Sequence, residues 1–154
     1  MRGCYSLCTV KQEVGLGRGK DGAFAQFLAM PERHCYRIPE GVSLDDAALV
    51  EPSATVVKAV RKVGFEPGAT VYVAGDGPIG LLAMQAAKAC GAGWVVIGGT
   101  CPSKLELARK LGADASVDVR NENLDTFILD QTGGLGVDYA IDRKSTRLNS
   151  SHVL

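Results

Sequence analysis

Residues 70–80 read Thr-Val-Tyr-Val-Ala-Gly-Asp-Gly-Pro-Ile-Gly, and Leu-Leu-Ala-Met-Gln-Ala-Ala-Lys-Ala-Cys follows at once. A β-branched run, a glycine turn and a helix-forming run therefore stand in direct succession. Gly75, Gly77 and Gly80 fall on the spacing G-x-G-x-x-G. In such a unit the first glycine permits the tight turn. The second lets backbone approach a pyrophosphate, and the third lets the helix pack on the strand. The helix start then offers free N–H groups and a positive dipole end to phosphates. The same turn also serves as a packing device without any ligand, so the strand before it and the helix after it are what give the motif weight.

Strand-like and helix-like runs go on alternating. Trp94-Val-Val-Ile97 predicts a strand. Ser103-Lys-Leu-Glu106 reads as a capping box that opens a helix with Leu105, Ala108 and Leu111 on one face. Residues Ala115–Val119 predict a short strand, Asn123–Gln131 a helix and Val137–Ile141 a last strand. Upstream, Ser43-Leu-Asp-Asp46 is another capping pattern, and Val56, Val57, Val60 and Val63 recur at helical spacing before a stop at Gly64. This alternation predicts βαβ units, hence an α/β fold with a parallel, doubly wound sheet and right-handed crossovers.

The two ends differ from this pattern. Residues 1–40 carry short apolar runs between glycines and prolines, with a strand predicted over Gly22–Met30 and a turn over Arg37–Gly41. The stretch Asp142-Arg-Lys-Ser-Thr-Arg-Leu-Asn-Ser-Ser-His152 is polar and aperiodic. It reads as the translation of a sequencing-library adapter, which would make the chain a gene fragment. The other reading is a disordered basic tail. No function is assigned to His152 or its basic neighbours.

Apolar residues make up 46% of the 154 and charged residues 22%, which suits a folded core. Lys+Arg and Asp+Glu number 17 each, so net charge gives no attraction for nucleic acid or an anionic membrane. No apolar run approaches the roughly 18 residues of a membrane span. The N-terminus lacks the apolar core of a signal peptide. Five cysteines, an odd number without a disulfide-framework spacing, suit a reducing compartment and predict a cytoplasmic protein.

Four stretches together resemble the zinc-type medium-chain dehydrogenases of the alcohol, sorbitol and threonine dehydrogenase group. They are Tyr5-Ser-Leu-Cys8, Gly22-Ala-Phe-Ala-Gln-Phe27, Glu51-Pro52 with Ala59-Val60, and Gly75–Gly80 with Leu105–Asp114. Pro78 inside the glycine turn is a feature of that group. The resemblance implies that residues 1–50 end a β-rich, GroES-like catalytic domain. It implies that 51–141 are the first part of a Rossmann-type NAD(P)-binding domain, with 142–154 the artefactual or disordered tail. Gly75, Gly77, Pro78, Ile79 and Gly80 would line the pyrophosphate and nicotinamide. Thr55 matches a position beside the nicotinamide ring, or is an ordinary helix-surface hydroxyl.

The position about 20 residues beyond the turn, where an acid often accepts the ribose hydroxyls of NAD, is Gly99. Gly99, Thr100, Ser103 and Lys104 give space, hydroxyls and a cation, which favours NADP over NAD. Alternatively, Lys104 is a solvated helix residue and ribose binds through backbone. On the first reading Gly99→Asp would turn preference toward NAD.

The resemblance also implies zinc in the intact parent. Cys8 matches one ligand of a structural four-cysteine site. Glu51 matches a carboxylate near the catalytic metal, or only favours the helix N-terminus that follows it. The other ligands of both sites would lie upstream, and one thiolate cannot hold a tetrahedral zinc. Cys4 is not at a ligand position. Cys35 and Cys90 read as small buried apolar residues, and His34 as a surface or packing residue.

The parent is expected to be a homo-oligomeric oxidoreductase. It would move hydride between a small secondary alcohol or carbonyl compound and the nicotinamide, with no nucleic-acid or membrane partner. The fragment alone is expected to be inactive. Two alternatives stand beside this: a zinc-independent reductase of the same fold, and a non-catalytic nucleotide-binding fragment.

Overall fold

Thr70–Ala74 is dominated by residues that suit a pleated surface, and it buries every second side chain, with Val71 and Val73 almost wholly enclosed. The computed structural model that contains it describes residues 15–16, 19–20 and 22–142. The chain divides into two units between Val42 and Ser43.

In the first unit, strand β1 (Gly15–Leu16) pairs with β2 (Gly19–Lys20), and Glu32–His34 forms a 3-10 turn. The strand predicted over residues 22–30 is not formed, and these residues run irregularly. A strand needs a neighbour to take up its backbone groups, and no described segment pairs with this one. Phe24 and Phe27 are left exposed. Cys8 and Cys4 lie outside the described residues, as does the tail from Arg143 onward.

The second unit opens with α1 (Leu44–Ala47), whose N-cap Ser43 accepts from the Asp46 N–H at 3.0 Å, as the capping pattern predicts. Helix α2 (Val50–Val63) ends at Gly64, which takes the left-handed conformation with φ 63°. Then follow β3 (Thr70–Ala74), α3 (Pro78–Ala89), β4 (Trp94–Gly99), α4 (Pro102–Lys110), β5 (Ala115–Asp118), α5 (Leu124–Gln131) and β6 (Tyr139–Asp142).

The four strands β3 to β6 form one parallel sheet in the order β5-β4-β3-β6. Val71 stands opposite Val95 on one side and Tyr139 on the other. Successive strands step away from β3 through β4 to β5, and β6 then returns to the far side of β3. The direction of winding therefore reverses between β3 and β6. In open α/β sheets this reversal opens a crevice at the carboxyl ends of the strands, and ligands bind there.

Both faces of the sheet are covered, as a parallel sheet requires. On one face Val71, Val73, Val95 and Ile97 pack with Val56 and Val60 of α2, Met84 and Ala87 of α3, and Ala108 of α4. On the other face Val96 and Val117 pack with Ile128 and Val137.

Three local expectations are corrected. Helix α4 begins at Pro102 with Cys101 as N-cap and no side-chain cap, so Ser103 lies inside the first turn. Proline at the first helical position, with its preset φ and missing N–H, moves the start back. Strand β4 runs on through Gly98 and Gly99, because both continue the ladder, Gly98 opposite Ala74 and Gly99 opposite Asp118. Cys35 and Cys90 are exposed rather than buried. Cys35 follows the 3-10 turn, and Cys90 is the C-cap of α3.

The approach to β6 is held by a reciprocal clasp. Asp138 Oδ2 accepts from the Thr70 N–H and from Thr70 Oγ1, both at 2.8 Å. The Asp138 N–H points back to Thr70, with its carbonyl 3.1 Å and its hydroxyl oxygen 2.9 Å away. The hydrogen bonds from the Thr70 backbone and side chain hold the Asp138 carboxyl below its ordinary value. Asp138→Ala should destabilise the full-length protein by about 1 kcal/mol, the net worth of such bonds, in urea denaturation. A group whose folded pKa is depressed contributes stability above its unfolded pKa and loses it as pH falls through the folded value. The gap between wild type and Asp138→Ala should therefore be full at neutral pH and close in acid.

Candidate functional site

The turn between β3 and α3 lies at the crevice where the sheet winding reverses. Gly75 has φ 111°, a conformation that side chains rarely adopt, and its N–H donates to Gly98 O at 2.8 Å. This bond ties the turn to the end of β4. Gly80, in the first turn of α3, is buried, and a Cβ there would overlap the carbonyl of Gly75. The glycine is what lets the helix sit against the strand end. Gly77 is the N-cap of α3 with φ −78° and ψ 175°, ordinary extended backbone. The spacing alone suggests restricted φ at this position, and the structure shows none. The case for glycine at 77 rests on what approaches it.

Pro78 occupies the first helical position, and no side chain caps α3. The Leu81 N–H donates back to Gly77 O at 2.9 Å. The helix start thus keeps its opening N–H groups, at Ile79 and Gly80, free of side-chain caps.

Two cavities flank this turn. One, of about 370 Å³, is lined by Tyr72, Gly75, Asp76, Thr100, Val119 and Asp142 among others. The second, of about 180 Å³, is mainly apolar and lies between α2, β3 and α3, lined by Thr55, Val56, Ala59, Val73, Ile79 and Gly80 among others. Ala74 and Asp142 line both. The predicted residues Thr55, Gly75, Ile79, Gly80, Gly99 and Thr100 therefore all border one or other of two adjoining cavities. Sequence reasoning passed over Tyr72, Asp142 and Asp76.

Asp76 matters most among them. Its Oδ2 accepts from the Thr100 N–H at 2.9 Å and the Cys101 N–H at 2.7 Å. Burial pushes its carboxyl up. The hydrogen bonds from Cys101, Thr100 and its own backbone N–H, with the nearby Lys104 charge, outweigh that and hold it below its ordinary value. A Cβ built on Gly99 would lie 2.5 Å from both Cγ and Oδ2 of Asp76. Gly99 is glycine because the Asp76 side chain fills that space. Gly99→Asp, which the spacing suggests as a route toward NAD preference, has no room here.

Beyond Asp76 the charges are mixed. Arg120 grips Asp118 with Nη2 to Oδ2 at 2.7 Å and Nε to Oδ1 at 3.0 Å. Chiefly through that pairing, the Asp118 carboxyl is lowered to about 2. The hydrogen bond with Ser103, Sγ to Oγ at 3.3 Å, leads the causes that lower the Cys101 thiol. Lys104 makes no ion pair within the described residues.

Glu51 sits exposed in the first turn of α2. Among the described residues no three of His, Cys, Asp and Glu come together so as to hold a metal ion. The described residues therefore do not by themselves complete the ligand set of a zinc centre. The uncapped helix start, the Gly80–Gly75 approach and the open crevice do fit a dinucleotide.

Residues 78–149 match the family of zinc-binding dehydrogenases. Sorbitol dehydrogenase of Bacillus subtilis (strain 168) is 36% identical over 138 residues, which are 90% of this chain and 39% of that protein. D-xylulose reductase A of Aspergillus niger is 36% identical over 144 residues, 91% of this chain and 40% of that protein. Among solved structures, 2R,3R-butanediol dehydrogenase from Bacillus subtilis superposes with TM-score 0.63 and 38% identity, covering 70% of this chain and 30% of that one. A zinc-binding dehydrogenase of Sinorhizobium meliloti 1021, bound to NADP, gives TM-score 0.73 and 32% identity over 82% of this chain and 38% of that one. The chain spans about two-fifths of the curated relatives it matches.

Gly80→Ala tests the geometry directly. The methyl group must push α3 away from the end of β3, so the thermal midpoint of the full-length protein should fall by several degrees. An unchanged midpoint would contradict the close approach.

Proposed function

We propose that this chain belongs to the zinc-type medium-chain dehydrogenases and that its parent is an NAD(P)-linked oxidoreductase acting on a small secondary alcohol or the matching carbonyl compound. The observation that carries this is the Gly75–Gly80 turn, set at the reversal of the sheet with an uncapped helix behind it. Names of relatives such as sorbitol dehydrogenase and D-xylulose reductase support a polyol or related substrate. Residues 1–50 are read as the end of the catalytic domain and 51–141 as the first part of the cofactor domain. The parent is read as a cytoplasmic homo-oligomer. The free thiols of Cys35, Cys90 and Cys101 suit a reducing compartment, and no helix among the described residues is long and apolar enough to cross a membrane.

In this reading the backbone of Gly77 lets the pyrophosphate come close, and the N–H groups at the start of α3 receive it. Ile79 and Thr55 border the apolar cavity on the nicotinamide side. The nicotinamide, when bound, supplies the hydride acceptor or donor. The contribution of these residues is to hold the ring in place and keep water from the α2 side of the crevice. Thr100 borders the larger cavity, and Ser103 and Lys104, in the first turn of α4, are assigned to the adenosine end. Lys104 supplies a cation against the Asp76 carboxylate that fills the space of a position-99 side chain, and the balance is read as NADP over NAD.

Titrating both cofactors into the full-length protein should show tighter binding of NADP. An affinity for NAD about tenfold or more above that for NADP would overturn the preference. Gly77→Val should abolish binding of both cofactors while the protein stays folded. Its β-branched side chain would occupy the space the pyrophosphate needs, although φ there is ordinary. Unchanged affinity in a folded Gly77→Val protein would exclude this site. Oxidation of a panel of secondary alcohols and polyols, followed by cofactor reduction, tests the activity itself.

A further inference from the structure

We propose that Asp76, the residue between the first two glycines of the turn, is the carboxylate that governs discrimination at the adenosine 2′ position, acting against Lys104. The inference rests on the reading of the crevice as a nicotinamide dinucleotide site. In sites of this architecture the residue about 20 positions beyond the turn reaches the ribose 2′-hydroxyl. Here that residue is Gly99, and it has no side chain to offer. The volume such a side chain would fill is already taken, since a Cβ on Gly99 would lie 2.5 Å from Asp76 Cγ and Oδ2. A carboxylate therefore does stand at the end of β4, delivered from the glycine turn of β3 instead of from β4 itself.

Its anchoring keeps it there. Oδ2 takes the Thr100 and Cys101 N–H groups, and the remaining lone pairs of the carboxylate keep acceptor capacity for a ribose hydroxyl. Those two N–H groups are withdrawn from any bound phosphate, so a 2′-phosphate must be met by side chains. Two cations stand on that side and interact with Asp76: Arg120, which Asp118 already grips, and Lys104 in the first turn of α4, which no ion pair among the described residues holds. Asp76 and Lys104 therefore act in opposite senses. The cation attracts a 2′-phosphate, and the carboxylate repels it while accepting from a free 2′-hydroxyl. The selectivity of the site is the balance of the two.

The test is the ratio of NADP to NAD affinity in the full-length protein, by calorimetric titration at low salt. Asp76→Asn keeps an acceptor for the backbone N–H groups and removes the charge. It should raise the ratio about three- to tenfold, the scale of one unit charge acting across a few ångströms of water. Lys104→Gln should lower the ratio by a similar factor. If Asp76→Asn does not fold, Asp76→Ser, also neutral and able to accept one N–H, carries the same expectation. A role limited to anchoring the loop would weaken both cofactors together and leave the ratio unmoved. That result, or a ratio that falls, overturns the proposal. If the wild-type protein binds neither cofactor, the reading of the crevice itself fails.

Discussion

The approach of α3 to the end of β3, with Gly80 against the carbonyl of Gly75, is the constraint on which the rest of the structure depends. A side chain at 80 would hold the helix away from the strand. With glycine there, the helix start sits at the strand end, and Met84 and Ala87 further along α3 pack into the core beneath β3. The turn is tied in turn to β4 by the Gly75 N–H to Gly98 O bond. One close contact thus fixes the positions of the helix dipole, the floor of the crevice and the neighbouring strand end. The apolar packing that covers both sheet faces holds this arrangement rigid, as closely packed interiors do.

The adenosine side is organised by charge. A carboxylate with two backbone donors cannot swing freely, so Asp76 links the turn after β3 to the loop after β4 as a fixed strut. Gly99 is the space left for it. The bidentate Arg120–Asp118 pair, exposed at the end of β5, is of modest energetic worth in solvent. It does engage the guanidinium, which leaves Lys104 as the cation of this region that no ion pair among the described residues holds.

Much of the second unit was legible in the sequence because its physics is local. Val71, Val73, Val95, Val96 and Ile97 are the β-branched residues of doubly covered strands, and Ser43 and Asn123 cap their helices with their own side chains. The miss at Gly22–Met30 has a non-local cause, since alternating apolar residues form a strand only where another strand receives them. The start of α4 turned on proline chemistry at 102, which outweighed the Ser103 capping pattern. At the site, the glycine spacing located the turn. Asp76 occupies a position the motif leaves open, and its partners, Gly99, Thr100 and Cys101, are more than 20 residues away. No local pattern could report that contact.

The most direct test of the account is a crystal structure of the full-length protein with NADP bound. A pyrophosphate oxygen should lie within about 2.7–3.2 Å of the backbone N–H groups that open α3, at Ile79 or Gly80. The 2′-phosphate should lie against Lys104 and away from the Asp76 carboxylate. A cofactor bound with its pyrophosphate away from the Gly75–Gly80 turn would contradict it.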